Sequence, residues 1–130
     1  MTRWAFVSDV HGRGDRLARV LADIRSQDVE RVVGLGDIAS ANALALLDRA
    51  NATCVFGNWE ASGLRGLPAP YRTWVSRWPA RIELDGFMIA HATPVWPSGL
   101  AITGVVDYLR VNNLRWTELF PSFQRSEEAR

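Results

Sequence analysis

Three short apolar runs, Trp4–Val7, Arg31–Leu35 and Ala52–Phe56, are separated by two stretches that carry a helical repeat. In the first stretch Leu17, Val20, Leu21 and Ile24 fall at i, i+3, i+4 and i+7, one face of a helix, with Arg16, Arg19 and Asp23 outside it. The second, Ala39–Arg49, is rich in alanine and leucine and reads as a second helix. Strand, helix, strand, helix, strand is the pattern of parallel strands joined by crossovers, because parallel neighbours cannot be joined by a tight turn. The expected fold class is therefore α/β, and 130 residues suit one domain with one core.

The second half changes character. Residues 57–79 read as a long loop with a short helix around Tyr71–Val75. Arg81–Leu84 and Phe87–Ala90 flank Asp85-Gly86, a strong hairpin signal because both turn positions need φ > 0. A helical pattern runs from Gly104 to Leu119, and Ser126-Glu127-Glu128-Ala129 has the form of a helix start, a capping serine followed by acids.

Composition narrows the function classes. Hydrophobic residues make up 48% of the chain, which excludes disorder as a description of the whole. A net charge of +1 argues against bulk electrostatic binding of nucleic acid. Every basic residue is an arginine, which reads as a genome-wide bias. Cys54 stands alone, so neither an internal disulfide nor a multi-cysteine zinc site is expected. No apolar run approaches the ~20 residues of a membrane span. Ser8 and Asp9 interrupt the first apolar run, so it does not read as a signal peptide. The expected location is the cytoplasm.

The residues that carry chemistry fall in one pattern. Asp9 and His11 follow the first strand, Asp37 the second and Asn58 the third, and His91 follows the hairpin. Open α/β sheets place their sites just past the carboxyl ends of strands, so positions far apart in sequence can meet there. Taken singly, each has an ordinary role in a cap, turn or core. Together they offer two carboxylates, two imidazoles and one amide, an oxygen and nitrogen set without thiolate that suits Mn²⁺, Fe or Zn²⁺. Gly12, Gly36 and Gly57 adjoin three of these residues and would let backbone approach closely.

In order, these segments read Asp9-Val10-His11-Gly12, Gly36-Asp37, Gly57-Asn58-Trp59-Glu60 and Ala90-His91-Ala92-Thr93-Pro94. The chain resembles the calcineurin-like metallophosphoesterases, whose ordered motifs are Asp-x-His, Gly-Asp, Gly-Asn-His-Asp/Glu, a lone histidine after a later strand, and Gly-His-x-His. The resemblance spans residues 4 to about 97. It implies a layered sheet-and-helix sandwich, with residues 1–130 forming a single domain that matches the first two-thirds of the usual one. It also implies two divalent metal ions drawn from Mn, Fe, Ni or Zn, with Mn favoured. Asp9 and His11 would bind one, Asp37 would bridge both, and Asn58 and His91 would bind the second. A hydroxide shared by cations ~3.5–4 Å apart would attack phosphorus, so Asp37, Asn58 and His91 are the residues expected to serve catalysis. The substrate would be a small phosphomonoester or phosphodiester, with nucleic acid entering only as a nucleotide.

Three departures shape this expectation. Trp59 stands where the motif carries a histidine, and an indole cannot serve as an acid. A small prokaryotic phosphodiesterase branch of the family also lacks that histidine, which points toward phosphodiesters or activated leaving groups. Trp59 is a candidate to stack on substrate, or a packing aromatic. Arg13 follows Asp-x-His-Gly in place of the usual asparagine and is a candidate phosphate contact, or a solvated arginine at the start of a helix. Gly-His-x-His is absent, since His11 and His91 are the only histidines. The missing strands would leave an exposed sheet edge, which favours a homo-oligomer or a completing chain.

Two other readings compete. One is a non-catalytic interaction module on a degraded scaffold of the same kind, motivated by Trp59 and the absent motif. The other is dinucleotide binding, because Gly34-Leu35-Gly36-Asp37-Ile38-Ala39 fits G-x-G-x-x-A. Asp37 opposes it by placing negative charge where a pyrophosphate would sit.

Overall fold

A computed structural model describes residues 3–91 and 96–115. Strands β1 (Trp4–Val7), β2 (Arg31–Gly34) and β3 (Thr53–Cys54) form one parallel sheet in that order. Trp4 pairs with Arg31 and Val7 with Gly34, and Val33 and Gly34 pair with Thr53 and Cys54. Helices α1 (Gly14–Arg25) and α2 (Ala41–Arg49) make the crossovers. Ser40 caps α2, its hydroxyl accepting from Ala43 N–H at 3.1 Å. The expected βαβαβ half of the chain is present, and the α/β class holds.

Burial explains both the success and the one error of the helix pattern. Leu17 and Leu21 are buried, and Ile24 packs against the core. Val20 is exposed. Strand β1 is the edge of the three-stranded sheet, so α1 overhangs it, and Val20 lines a surface groove beside the exposed Phe6. The centre of the core is Val33, Ile38, Leu44, Leu47, Val55 and Phe56. Trp96 packs edge-on to Phe56 at 5.8 Å and against Tyr108 at 5.7 Å, which ties α5 (Val105–Val111) to the sheet.

Residues 57–79 contain the expected short helix, α4 (Ala69–Val75), but the stretch before it is not a loop: it folds into α3 (Asn58–Gly63) and a 3₁₀ turn at Leu64–Gly66. Periodicity missed α3 because it is held by a buried polar contact rather than an apolar stripe: Glu60, three residues past the cap Gly57, accepts the Gly57 N–H at 2.7 Å. Pro68 caps α4 and Pro70 sits in its first turn, where a missing N–H costs little.

The hairpin forms as expected. Strands β4 (Arg81–Leu84) and β5 (Phe87–Ala90) pair antiparallel, with Asp85 at φ 49° and Gly86 at φ 85°. It is a separate two-stranded sheet. The Phe87 ring meets Trp4 edge-on at 6.3 Å, and Phe56 N–H donates to Pro79 O at 3.1 Å. The expected helix from Gly104 is α5, preceded by a 3₁₀ turn at Ile102–Gly104; its continuation to Leu119 and the helix start at Ser126 lie outside the described residues.

Candidate metal centre

The first two strands end in loops that hold one another. Asp9 N–H donates to Gly36 O at 3.1 Å, His11 N–H to Asp37 O at 3.0 Å, and Gly12 N–H to Ile38 O at 2.9 Å. Asp9, His11 and Asp37 all sit in the left-handed region, at φ 54°, 48° and 56°. Non-glycine residues adopt it at a cost of order 1–3 kcal/mol each, and such strain collects at functional sites. Gly36, at φ 92°, approaches Gly57 so closely that a β-carbon there would lie 2.5 Å from Gly57 N. A β-carbon on Gly57 would meet Asp37 Oδ1 and come within 2.8 Å of Asp37 N. These two glycines permit contact between backbones and with Asp37.

Asp37 is the hub. Its Oδ1 accepts the Trp59 N–H at 2.9 Å, and its Oδ2 lies 3.5 Å from His91 Nε2. The His91 ring is set from the other side: its Nδ1 donates to Leu35 O at 2.6 Å, which leaves Nε2 as the lone-pair nitrogen facing Asp37. One atom of the Asn58 side-chain amide lies 3.0 and 3.1 Å from the Asp37 oxygens and 3.3 Å from His91 Nε2. Turned so that this atom is its nitrogen, the Asn58 amide donates to both Asp37 oxygens and to His91 Nε2. With a cation among the oxygens, the amide oxygen would face it instead.

Ligand atoms of Asp9, Asp37 and His91 lie within 4.8 Å of one another. His11 stands apart from that trio and reaches Asp9, with Nε2 at 3.2 Å from Oδ1. The site is graded in exposure: the side chains of Asp37 and His91 are 7% and 11% exposed, those of Asp9 and His11 54% and 57%. A cation held here would be gripped by buried oxygen and nitrogen donors on one side and open to solvent on the other. The donor chemistry fits a hard or borderline divalent ion.

Glu60 is the residue whose role sequence reasoning missed. It is fully buried, and its carboxylate accepts three backbone N–H groups, from Asp37 at 2.8 Å, Ile38 at 2.9 Å and Gly57 at 2.7 Å. It thereby clamps the loop after β2 to the start of α3, which brings Asp37 and Asn58 together. Burial pushes its carboxyl above the usual carboxylate range; the three N–H groups pull it down, and the Asp37 charge raises it. The Gly-x-x-Glu spacing of a helix cap was the available signal. Of the two residues expected to contact substrate, Trp59 packs against the core with its ring over Gly63, while Arg13 opens α1 and lines the groove beside Asp9.

The model of the calcineurin-like phosphoesterase superfamily domain matches residues 3–114. The chain belongs to this superfamily. Among solved structures, a metallophosphoesterase from Sphaerobacter thermophilus superposes with a TM-score of 0.61 at 22% identity, over 73% of this chain and 50% of that one. "A putative diadenosine tetraphosphatase" superposes with a TM-score of 0.64 at 26% identity, over 75% of this chain and 54% of that one. The chain thus spans about half the length of these solved relatives. No curated protein matches it significantly. The family match runs from β1 to α5 and includes the loops that carry Asp9 and Asp37, and the family and the fold agree.

Proposed function

We propose that this phosphoesterase hydrolyses a small phosphoester with two divalent cations, Mn²⁺ favoured, held by Asp9, His11, Asp37, Asn58 and His91. The observation that carries the reading is the convergence of ligand atoms of Asp9, Asp37 and His91 within 4.8 Å of one another, with the Asn58 amide against Asp37 and His91. Bound there, such cations supply Lewis-acid charge for the phosphoryl oxygens and an acidified water. The chain's own residues do the rest. Asp37, central and buried, would be shared between the two ions. His91 keeps its Nε2 lone pair because Leu35 O holds its other nitrogen. The exposed side at Asp9 and His11 is where substrate enters, and Arg13 beside it can pair with a phosphate. With Trp59 unable to give a proton, substrates with good leaving groups are favoured. The likeness to a chain described as a diadenosine tetraphosphatase makes dinucleoside polyphosphates and phosphodiesters the first to try. We place the protein in the cytoplasm. The exposed edge of β1, with Phe6, Phe87 and Met88 exposed around it, suits association with a second copy or a completing chain.

The test is elemental analysis after dialysis against Mn²⁺, with Asp37→Ala as the paired variant. About two ions per chain are expected in the parent, with both metal and hydrolysis lost in the variant. Hydrolysis unchanged by Asp37→Ala would overturn the proposal. Absence of both metal and turnover in the parent would leave the non-catalytic interaction module as the reading.

A further inference from the structure

A cavity of about 660 Å³ lies at the opposite end of the parallel sheet from Asp37. It opens where the two crossover helices end and β2 and β3 begin, with a floor that includes Leu21, Val32 and Leu46. Three arginines line it: Arg25 in the last turn of α1, Arg49 in the last turn of α2 and Arg31 at the first position of β2. Among the described residues, Glu30 is the one acidic residue in the lining. No described carboxylate lies within ion-pair distance of any of the three guanidinium groups.

Helix dipoles account for a basic residue at the end of α1 and of α2. They do not account for Arg31, which begins a strand, or for a cavity whose volume falls within the ~300–1,000 Å³ of small-molecule sites. Three like charges against one carboxylate around a concave apolar floor raise the local positive potential, which an anion would neutralise. Thr53 and Asn51 add a hydroxyl and an amide to the same wall. We propose that this cavity binds an organic phosphate of nucleoside-monophosphate size, distinct from the substrate at the metal centre. The guanidinium forks take the phosphate and the leucine and valine floor takes a flat apolar body.

Binding is measured by calorimetry on the full chain with chelator present, so that the metal centre takes no part. The probes are AMP, adenosine and inorganic phosphate. AMP is expected to saturate one site and to bind more tightly than either fragment. The double variant Arg31→Gln, Arg49→Gln changes only exposed side chains, and circular dichroism confirms its fold; it should weaken AMP by at least about tenfold. No saturation by about 10 mM AMP, or an affinity unchanged in the double variant, would overturn the site. Phosphate binding as tightly as AMP would overturn the assignment of an organic body. Because the assay is metal-free, none of these outcomes depends on the phosphoesterase reading.

Discussion

Replacing Glu60 tests the clamp that assembles the metal centre. Its carboxylate accepts three buried N–H groups at 2.7 to 2.9 Å. Glu60→Ala leaves all three without that partner. A buried unsatisfied donor costs about 1–3 kcal/mol, so the loss is about 3 kcal/mol at the least and about 6 kcal/mol at mid-range. A domain of this size is stable by about 5–15 kcal/mol, so the variant would be close to unfolding. Glu60→Gln is milder. The amide oxygen can replace Oε1 and keep the Asp37 and Gly57 donors, but the amide nitrogen then faces the Ile38 N–H, donor against donor. One lost bond of about 1–3 kcal/mol is offset in part because no charge is buried, leaving about 1–2 kcal/mol. Urea titration followed by fluorescence reads both differences. Metal titration should show weakened binding in Glu60→Gln, because Asp37 and Asn58 lose their common anchor while every ligand remains. An unfolding free energy for Glu60→Ala within about 1 kcal/mol of the parent would refute the clamp.

Three further outcomes follow from the packing. A β-carbon on Gly34 would lie 2.7 Å from Cys54 Sγ, so Gly34→Ala should cost about 1–3 kcal/mol. Denaturation of the double variant with Cys54→Ala should recover part of that loss. Gly36→Ala has no such remedy, because its clash is with Gly57 backbone and its φ is 92°; circular dichroism should show a large fall in thermal stability. Burial pushes the Cys54 thiol from 9.0 up to about 12. The folded chain therefore keeps a proton that the unfolded chain loses, so this group stabilises below pH 9 and its contribution is lost as pH rises from 9.0 toward about 12. The slope is up to about 1.4 kcal/mol per pH unit. At pH 8 a disulfide reagent should label Cys54 only after denaturant is added, and fast labelling of the native chain would contradict the burial.

The elements with a local cause were legible in the residues. Leu17, Leu21 and Ile24 mark the inner face of α1 because helical geometry repeats within a few residues. Asp85-Gly86 marks the hairpin because its turn demands two positive φ angles. Asp9, Asp37, Asn58 and His91 could be picked out because each follows a strand end, and the tertiary structure brings all four to one point. Other features have no local cause. Val20 follows the apolar repeat and is exposed because β1 is the edge of its sheet. Glu60 is polar and yet fully buried, since two of its donors come from one loop, 22 and 23 residues away, and the third from its own helix cap. The lone-pair nitrogen of His91 is chosen by a carbonyl 56 residues earlier. Periodicity reports what a segment does to itself, so the sequence determined the strands, the first two helices and the chemical character of the site. Which faces stay open, which ligands meet and what holds them depend on contacts between distant segments, and only the tertiary structure decided those.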